Sequence, residues 1–333
     1  MLIAMPRKRT NGALPISCGA KRVRREWASR APMANALHCT HQGKGDAILF
    51  IHGRPTNCKL WDGVIQELSI HHRCFAVDLP GMGHTPFAPY RPDYLDNLAK
   101  QIELIRIRHD VKKWHVVGHD AGAAVAVQYA GRFPRHVECL ALMSPAIFPD
   151  LKPFYLMNAL RRPLVGEILA PLVHFVFWQI AMRRAITGKS ARATLRAFYQ
   201  PFSGMAGAWK LMQLVRWGKP EGMLGKIPAT LAALQMPALI FHGTRDVLPA
   251  TFAERAASLI PNANLVRLDA GHFIPLDGPN DVTNCLRRFF CENRVAMALP
   301  TSRTKARRAK AQIGTLVTES LSMGARQSLA GVS

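Results

Sequence analysis

An α/β fold with a mostly parallel central sheet flanked by helices is predicted by three observations. Short continuous apolar runs alternate with helical stretches, each run ends in a loop rich in Gly, Pro, His or Asp, and one long helical segment interrupts the rhythm. Ala47-Ile48-Leu49-Phe50-Ile51 closes in His52-Gly53-Arg54-Pro55, as a strand buried on both faces should. After a helical stretch from Trp61 to Leu68, Cys74-Phe75-Ala76-Val77-Asp78 forms the next run and ends in the turn-rich Leu79-Pro80-Gly81-Met82-Gly83. Leu95, Leu98, Ile102 and Ile105 recur at helical spacing and predict a helix from Tyr94 to Arg108. It leads to a strand through Val116 and Val117, a glycine-flanked turn, and a helix from Ala121 to Arg132. Val137 to Met143 reads as a strand that breaks at Ser144-Pro145.

From 150 to 228 the pattern becomes helical, basic and aromatic, divided by Pro163, Pro171, Pro201 and Pro228, which predicts a helical cap inserted after the sixth strand. Strands resume at Pro237 to Phe241, ending in His242-Gly243-Thr244-Arg245-Asp246, and at Asn264 to Leu268, ending in Asp269-Ala270-Gly271-His272-Phe273. A closing helix is predicted from Asp281 to Phe290. The expected organisation is a basic, disordered extension (1–35), a first core part (36–149), the cap (150–228), a second core part (229–293) and a basic, disordered tail (294–333).

The formal charge of +23 gathers at the two ends, so nucleic acid is not required by the core, although the ends would suit an RNA or an acidic membrane as a tether. Seven scattered cysteines without a C-x-x-C pair suggest neither disulfides nor zinc and fit a reducing, cytoplasmic compartment. The Arg-rich amino terminus leaves organelle import open; the alternative, with Met33 just before the first strand-like segment, is that residues 1–32 are a non-essential extension or are not translated. His38, Cys39 and His41 with His71 and His72 match no standard ligand set. The apolar stretch from Pro163 to Met182 contains Glu167, His174 and two prolines, and predicts a buried or surface-lying lid helix with no transmembrane segment.

The chemistry centres on Gly118-His119-Asp120-Ala121-Gly122, a G-x-nucleophile-x-G elbow whose central residue is a carboxylate. Attack by a carboxylate on a carbonyl yields only a labile anhydride. Attack on a saturated carbon bearing a leaving group gives an alkyl ester that water can split. Asp246 and His272 stand at two further strand ends, in the order nucleophile, acid, base. Each alone reads as a turn or packing residue; together with the elbow they form a catalytic set. The backbone amides of Arg54 and Ala121 are the candidate oxyanion donors.

These motifs resemble the α/β-hydrolase superfamily, and within it the aspartate-nucleophile branch of epoxide hydrolases and haloalkane dehalogenases. His52-Gly53-Arg54-Pro55-Thr56 with Leu60-Trp61 is similar to the dehalogenase loop, and Gly118-His119-Asp120 to the epoxide hydrolase elbow. The resemblance implies Asp120 as nucleophile, His272 as water-activating base, Asp246 as its orienting partner, and no metal or organic cofactor. It also directs attention to His52, Trp61, Tyr155, Trp178, Tyr199, Trp209 and Phe273 as substrate-binding residues. The chain departs from the dehalogenase pattern, which has a tryptophan after the nucleophile and usually an asparagine after His-Gly; here those positions hold Ala121 and Arg54. The epoxide hydrolase pattern has two cap tyrosines, and the segment around Ala208-Trp209-Lys210 lacks the second. The resulting expectation is a small apolar substrate and water as the reactants, with epoxides slightly preferred over carbon–halogen bonds. A divergent hydrolase of esters, lactones or carbon–carbon bonds and a ligand-binding receptor on the same fold are the alternatives.

Overall fold

Strand β2 (Asp46–Ile51) is buried from Ala47 onward because it lies between two parallel neighbours, β3 (His72–Val77) and β4 (Trp114–His119). The computed structural model describes residues 36–88, 92–151, 158–186, 191–216 and 220–298. Among them the sheet has seven strands in the order β1-β3-β2-β4-β5-β6-β7, with β1 (Cys39–Gln42), β5 (Val137–Met143), β6 (Ala238–Gly243) and β7 (Ala263–Leu268) completing it. All pairs are parallel except β1 with β3. The order reverses around β2, and the elbow at the end of β4 stands beside that switch, where the strand ends of open α/β sheets leave room for ligands.

Helix α1 (Asp62–Leu68) follows the loop after β2, α2 (Tyr94–Arg108) precedes β4, and α3 (Ala121–Arg132) leaves the elbow. The bounds of α2, α3 and β5 coincide with the sequence expectation. The helical insertion lies between β5 and β6: α4 (Val165–Ala185, with a π-helical segment at Phe177–Met182), α5 (Ala191–Tyr199), α6 (Gly204–Arg216), α7 (Pro220–Leu224) and α8 (Ile227–Ala233). It therefore follows the fifth strand of the described residues rather than the sixth. Helix α8 packs on α3, so the end of the insertion is part of the layer that covers the sheet. After β6 come α9 (Ala250–Leu259), and after β7 the short α10 (Ile274–Asp277) and α11 (Pro279–Ala298).

The chain divides into two units, Met1–Asn284 and Cys285–Ser333; the first contains the sheet, the insertion and the described candidate site residues. In the second, the helix continues to Ala298, which corrects the expectation of disorder from 294 onward. Residues 294–298 are Arg, Val, Ala, Met and Ala, with no helix breaker before Pro300. The expected extension over 1–35 and the tail from 299 lie outside the described residues. The six cysteines among the described residues are free thiols.

Behind the elbow, α2 is fastened to α3 by a buried polar cluster. Glu103 accepts hydrogen bonds from Arg106 (Nε 2.9 Å, Nη2 2.6 Å) and from the Tyr129 hydroxyl at 2.9 Å, and Tyr129 in turn accepts from Trp114 Nε1 at 3.2 Å. Burial pushes the Glu103 carboxyl up, but Arg106, Tyr129 and His136 outweigh it and hold the group below its ordinary range. Removing one partner would strand a buried guanidinium, which costs about 3–5 kcal/mol. Glu103→Ala is expected to lose stability of about that size in urea unfolding, against less than about 1 kcal/mol for breaking the exposed Lys100–Asp96 pair by Lys100→Ala.

Candidate active site

The elbow places Asp120 at φ 49° and ψ −121°, a conformation rarely adopted by residues with a side chain, so its backbone is held by its surroundings. The holding contacts are backbone hydrogen bonds: Asp120 N–H donates to Met143 O at 3.0 Å, and Asp120 O accepts from Ala123 N at 3.1 Å and Ala146 N at 3.3 Å. Two glycines make room. A Cβ on Gly53 would lie 2.4 Å from Asp120 Cβ, and one on Gly122 would lie 2.3 Å from His52 O. The loop after β2 can therefore run directly against the Asp120 carboxylate.

That approach gives the two carboxylate oxygens different neighbours. Arg54 N–H donates to Oδ2 at 2.9 Å, while Oδ1 faces His272 Nε2 at 3.9 Å, beyond direct hydrogen-bond range. The other ring nitrogen, His272 Nδ1, is 2.9 Å from Asp246 Oδ1. Burial lowers the His272 pKa, yet the Asp246 hydrogen bond and the charges of Asp120 and Asp246 prevail and leave it above the ordinary value of 6.5. Burial likewise pushes Asp246 up, and His272 with the Leu248 amide brings it below its usual range. The pair thus favours an imidazolium next to a carboxylate, the state a general base passes through after taking a proton.

The triad of Asp120, Asp246 and His272 expected from the sequence is brought together. Ala121 opens α3 and, with Arg54, Leu79, Met82, Tyr94, Leu95, Val125, Leu214 and Met223, lines a mostly apolar cavity of about 30 Å³. That is room for roughly one water, well short of the ~300 Å³ at the small end of ligand pockets, and Asp120, Asp246 and His272 are not among its lining residues. Its roof belongs to the insertion. Arg54 Nη1 donates to Leu214 O at 3.1 Å, and Asn57 Nδ2 to Ala197 O at 2.9 Å.

Several predicted substrate-binding residues have other employment. His52 is fully buried and both its ring nitrogens are committed, Nδ1 to Gly53 O at 2.7 Å and Nε2 to the Leu79 amide at 2.8 Å; it shapes the loop and does not face substrate. Burial, partly opposed by Asp78, lowers its pKa and keeps it neutral. Trp61 is buried against Phe50 and edge-on to His119, a core position. Phe273 is buried against the rings of His272 and His119 and packs behind them. Trp209 points to solvent on α6 because its helical neighbours Ala208 and Met212 take the inward face. Trp178 and Tyr199 line a separate cavity of about 670 Å³ within the insertion, with Arg183, Arg192 and Arg196 on its wall and none of the triad. Tyr155 lies outside the described residues.

Other residues in the site carried weaker sequence signals. His119 Nε2 bonds His272 O at 2.9 Å, and burial together with the neighbouring His272 drives its pKa down to about 4, so it adds no second positive charge. Ser144 Oγ donates to the same carbonyl at 3.3 Å, and Asp277 Oδ2 accepts from Gly271 N at 2.7 Å, fixing the loop that carries His272. Tyr94, visible in the sequence only as a helix start, reaches the cavity beside Arg54 and Ala121. His38, Cys58 and Asp78 bring ligand-type atoms within 4.8 Å of one another. Asp78 is already occupied by the Cys58 and His84 amides, however, and burial with the Asp78 charge pushes the Cys58 thiol up to about 12. Those contacts describe a loop hub and give no support for a metal centre.

Comparison with known proteins agrees with this geometry at the level of fold. The alpha/beta hydrolase fold family matches residues 46–279. A cis-3-alkyl-4-alkyloxetan-2-one decarboxylase of Shewanella oneidensis is 24% identical over 281 residues, covering 78% of this chain and 86% of that protein. A haloalkane dehalogenase of Mesorhizobium japonicum is 28% identical over 253 residues, covering 70% and 80%. Among solved structures, a haloalkane dehalogenase of Bradyrhizobium elkani superposes with a TM-score of 0.69 at 22% identity, covering 80% of this chain and 98% of that one.

Because the Gly53 hydrogen faces the Asp120 carboxylate, Gly53→Ala must displace one or the other. A displacement of about 1 Å costs on the order of a hundredfold in rate. Gly53→Ala is expected to keep the wild-type circular dichroism spectrum and to lose turnover by about that factor.

Proposed function

Since the chain belongs to the α/β-hydrolase family and is related to haloalkane dehalogenases, we propose that it is a hydrolase that works through a covalent ester on Asp120. The observation that carries this reading is the division of labour within one carboxylate. Oδ2 is anchored by the Arg54 amide, and Oδ1 is left facing the base across 3.9 Å. Oδ1 attacks a saturated carbon from the side opposite its leaving group, and the Asp120 carboxyl becomes an alkyl ester with Oδ2 as its carbonyl oxygen. His272 then takes a proton from water, which adds to the ester carbon. The Arg54 amide, joined by that of Ala121, holds the oxyanion forming on Oδ2, and Asp246 balances the imidazolium. The alcohol leaves and the carboxylate is restored. The helical insertion serves as the cap over this site.

The surroundings favour an oxygen leaving group over a halide. Neither Ala121 nor the tethered Arg54 reproduces the two side-chain halide donors of the dehalogenase pattern. Tyr94 does line the cavity, and burial raises its phenol pKa, so it is kept protonated as a donor to the alkoxide of an opening epoxide. A second reading comes from the Arg54 guanidinium, whose bond to Leu214 uses only one of five N–H donors. Attack at the alkyl carbon of a four-membered lactone would release a carboxylate, which needs no proton and suits an arginine. Loss of carbon dioxide would then form an alkene and free Asp120, the overall conversion implied by the name of the Shewanella oneidensis relative. An epoxide would give a diol with uptake of water, whereas an oxetanone would give an alkene and carbon dioxide, so product identification separates the readings.

Replacing His272 by Gln should leave the first step intact and stall the second. After incubation with an epoxide, the peptide containing Asp120 is expected to gain the mass of the substrate in His272→Gln and not in Asp120→Asn; an unmodified peptide in both, with p-nitrophenyl esters still hydrolysed by the wild type, would defeat the covalent-ester reading. The pH dependence follows from the direction of the His272 shift. The base must be neutral to take a proton from water, so ester breakdown in single turnover is expected to fall as pH drops; because esterification removes the Asp120 charge that helps raise His272, its midpoint is expected to lie below that of the free enzyme.

A further inference from the structure

Helix α4 turns a row of large apolar side chains to solvent: Leu164 just before it and Ile168, Leu172 and Phe175 within it are 79%, 78%, 57% and 60% exposed. Their spacing of three or four residues puts them on one face. The opposite face is occupied, with Ala170 and Val173 buried against Leu160, Ala208 and Met212, and His174 Nε2 bonded to Phe202 O at 2.7 Å. On α6, which packs against α4, Met205 and Trp209 are a further 70% and 49% exposed. Single exposed apolar residues are ordinary on a protein surface. A row of four, three on one helix and one at its start, with two more on the neighbouring helix, marks a binding surface.

The charges around the row indicate what it binds. Residues 158–216 contain nine Lys and Arg residues and one acid, Glu167. That acid is held by Arg216 at 2.6 and 2.8 Å, so it does not offset the rest. Arg162 precedes the row and Arg183 and Arg184 follow it, all three exposed. A second copy packed on this face would oppose arginine to arginine. An anionic bilayer would receive the apolar row among its acyl chains and the arginines at its phosphates. By length and composition alone, Val165–Ala185 could cross a membrane. Its buried face and the Glu167–Arg216 pair instead bind it sideways into the insertion, which suits a helix lying in the interface plane.

We propose that α4 is a membrane-docking helix that seats this protein on anionic lipid through Leu164, Ile168, Leu172 and Phe175, with Arg162, Arg183 and Arg184 at headgroup level. Docking there would bring the insertion into contact with the phase in which apolar substrates accumulate. The test is flotation of the full chain with vesicles of phosphatidylglycerol or of phosphatidylcholine, in low salt and in about 0.5 M salt, where the screening length is only a few ångströms. The wild type is expected to float with phosphatidylglycerol and to stay bound in high salt. The double variant Ile168→Asp, Leu172→Asp is expected to partition at least about tenfold more weakly at an unchanged thermal midpoint, since both positions are solvent-facing. Arg183→Ser with Arg184→Ser should reduce the preference for phosphatidylglycerol. Three results would overturn the proposal: no flotation of the wild type, equal flotation of wild type and double variant, or a wild-type dimer that the double variant dissociates while vesicle binding is unchanged. The readout needs no substrate, so it stands apart from the catalytic reading.

Discussion

The contact between the loop after β2 and the Asp120 carboxylate is the constraint on which the site depends. Two adjacent parallel strands, β2 and β4, end side by side, and their following loops meet with no side chain between them at Gly53. That absence lets a backbone amide reach Oδ2, and it commits one oxygen to an anchor while the other stays available. The unusual backbone angles at Asp120 are sustained by hydrogen bonds from β5 and its following loop, so three consecutive layers of the parallel stack participate. His272 arrives from the β7 end of the sheet on a loop pinned by Asp277, Ser144 and His119. A rigid sheet with short, well-bonded loops converts sequence-distant residues into a constellation of fixed distances.

Electrostatics in the site are arranged by burial with compensation. His119 and His52 are fully buried and His272 nearly so, yet they end in different states because only His272 gains carboxylate neighbours close enough to overcome desolvation. The two neutral rings serve as hydrogen-bonded braces.

The fold and the juxtaposition of Asp120, Asp246 and His272 were legible in the sequence because each rests on a local pattern. Continuous apolar runs such as Ala47 to Ile51 identify doubly covered strands, and Asp120, Asp246 and His272 each follow a strand-like segment. The bounds of α2 and α3 could be read from apolar spacing and from the elbow glycines. What could not be read is which face of a residue the tertiary structure uses. Trp61 and Trp209 look alike in sequence, but one is fully enclosed and the other faces solvent, since that outcome depends on what packs beside them. His52 sits in a motif that suggests reactivity, and only the Leu79 amide and Gly53 carbonyl reveal a structural post. Tyr94 carries no motif at all; its approach to the cavity follows from how α2 is laid across the sheet. The short edge strand β1 (Cys39–Gln42) has no apolar run to mark it, since only one neighbour covers it and most of its residues are exposed.

Arg54 has two attachments that belong to different parts of the molecule. Its amide grips the carboxylate of the elbow, and its guanidinium grips a carbonyl of α6 overhead. The cavity between them holds about one water, and any displacement of that helix away from the sheet would have to stretch the guanidinium bond. A shift of the helix and a shift of the amide at Oδ2 are thereby linked mechanically through one side chain and the peptide it hangs from.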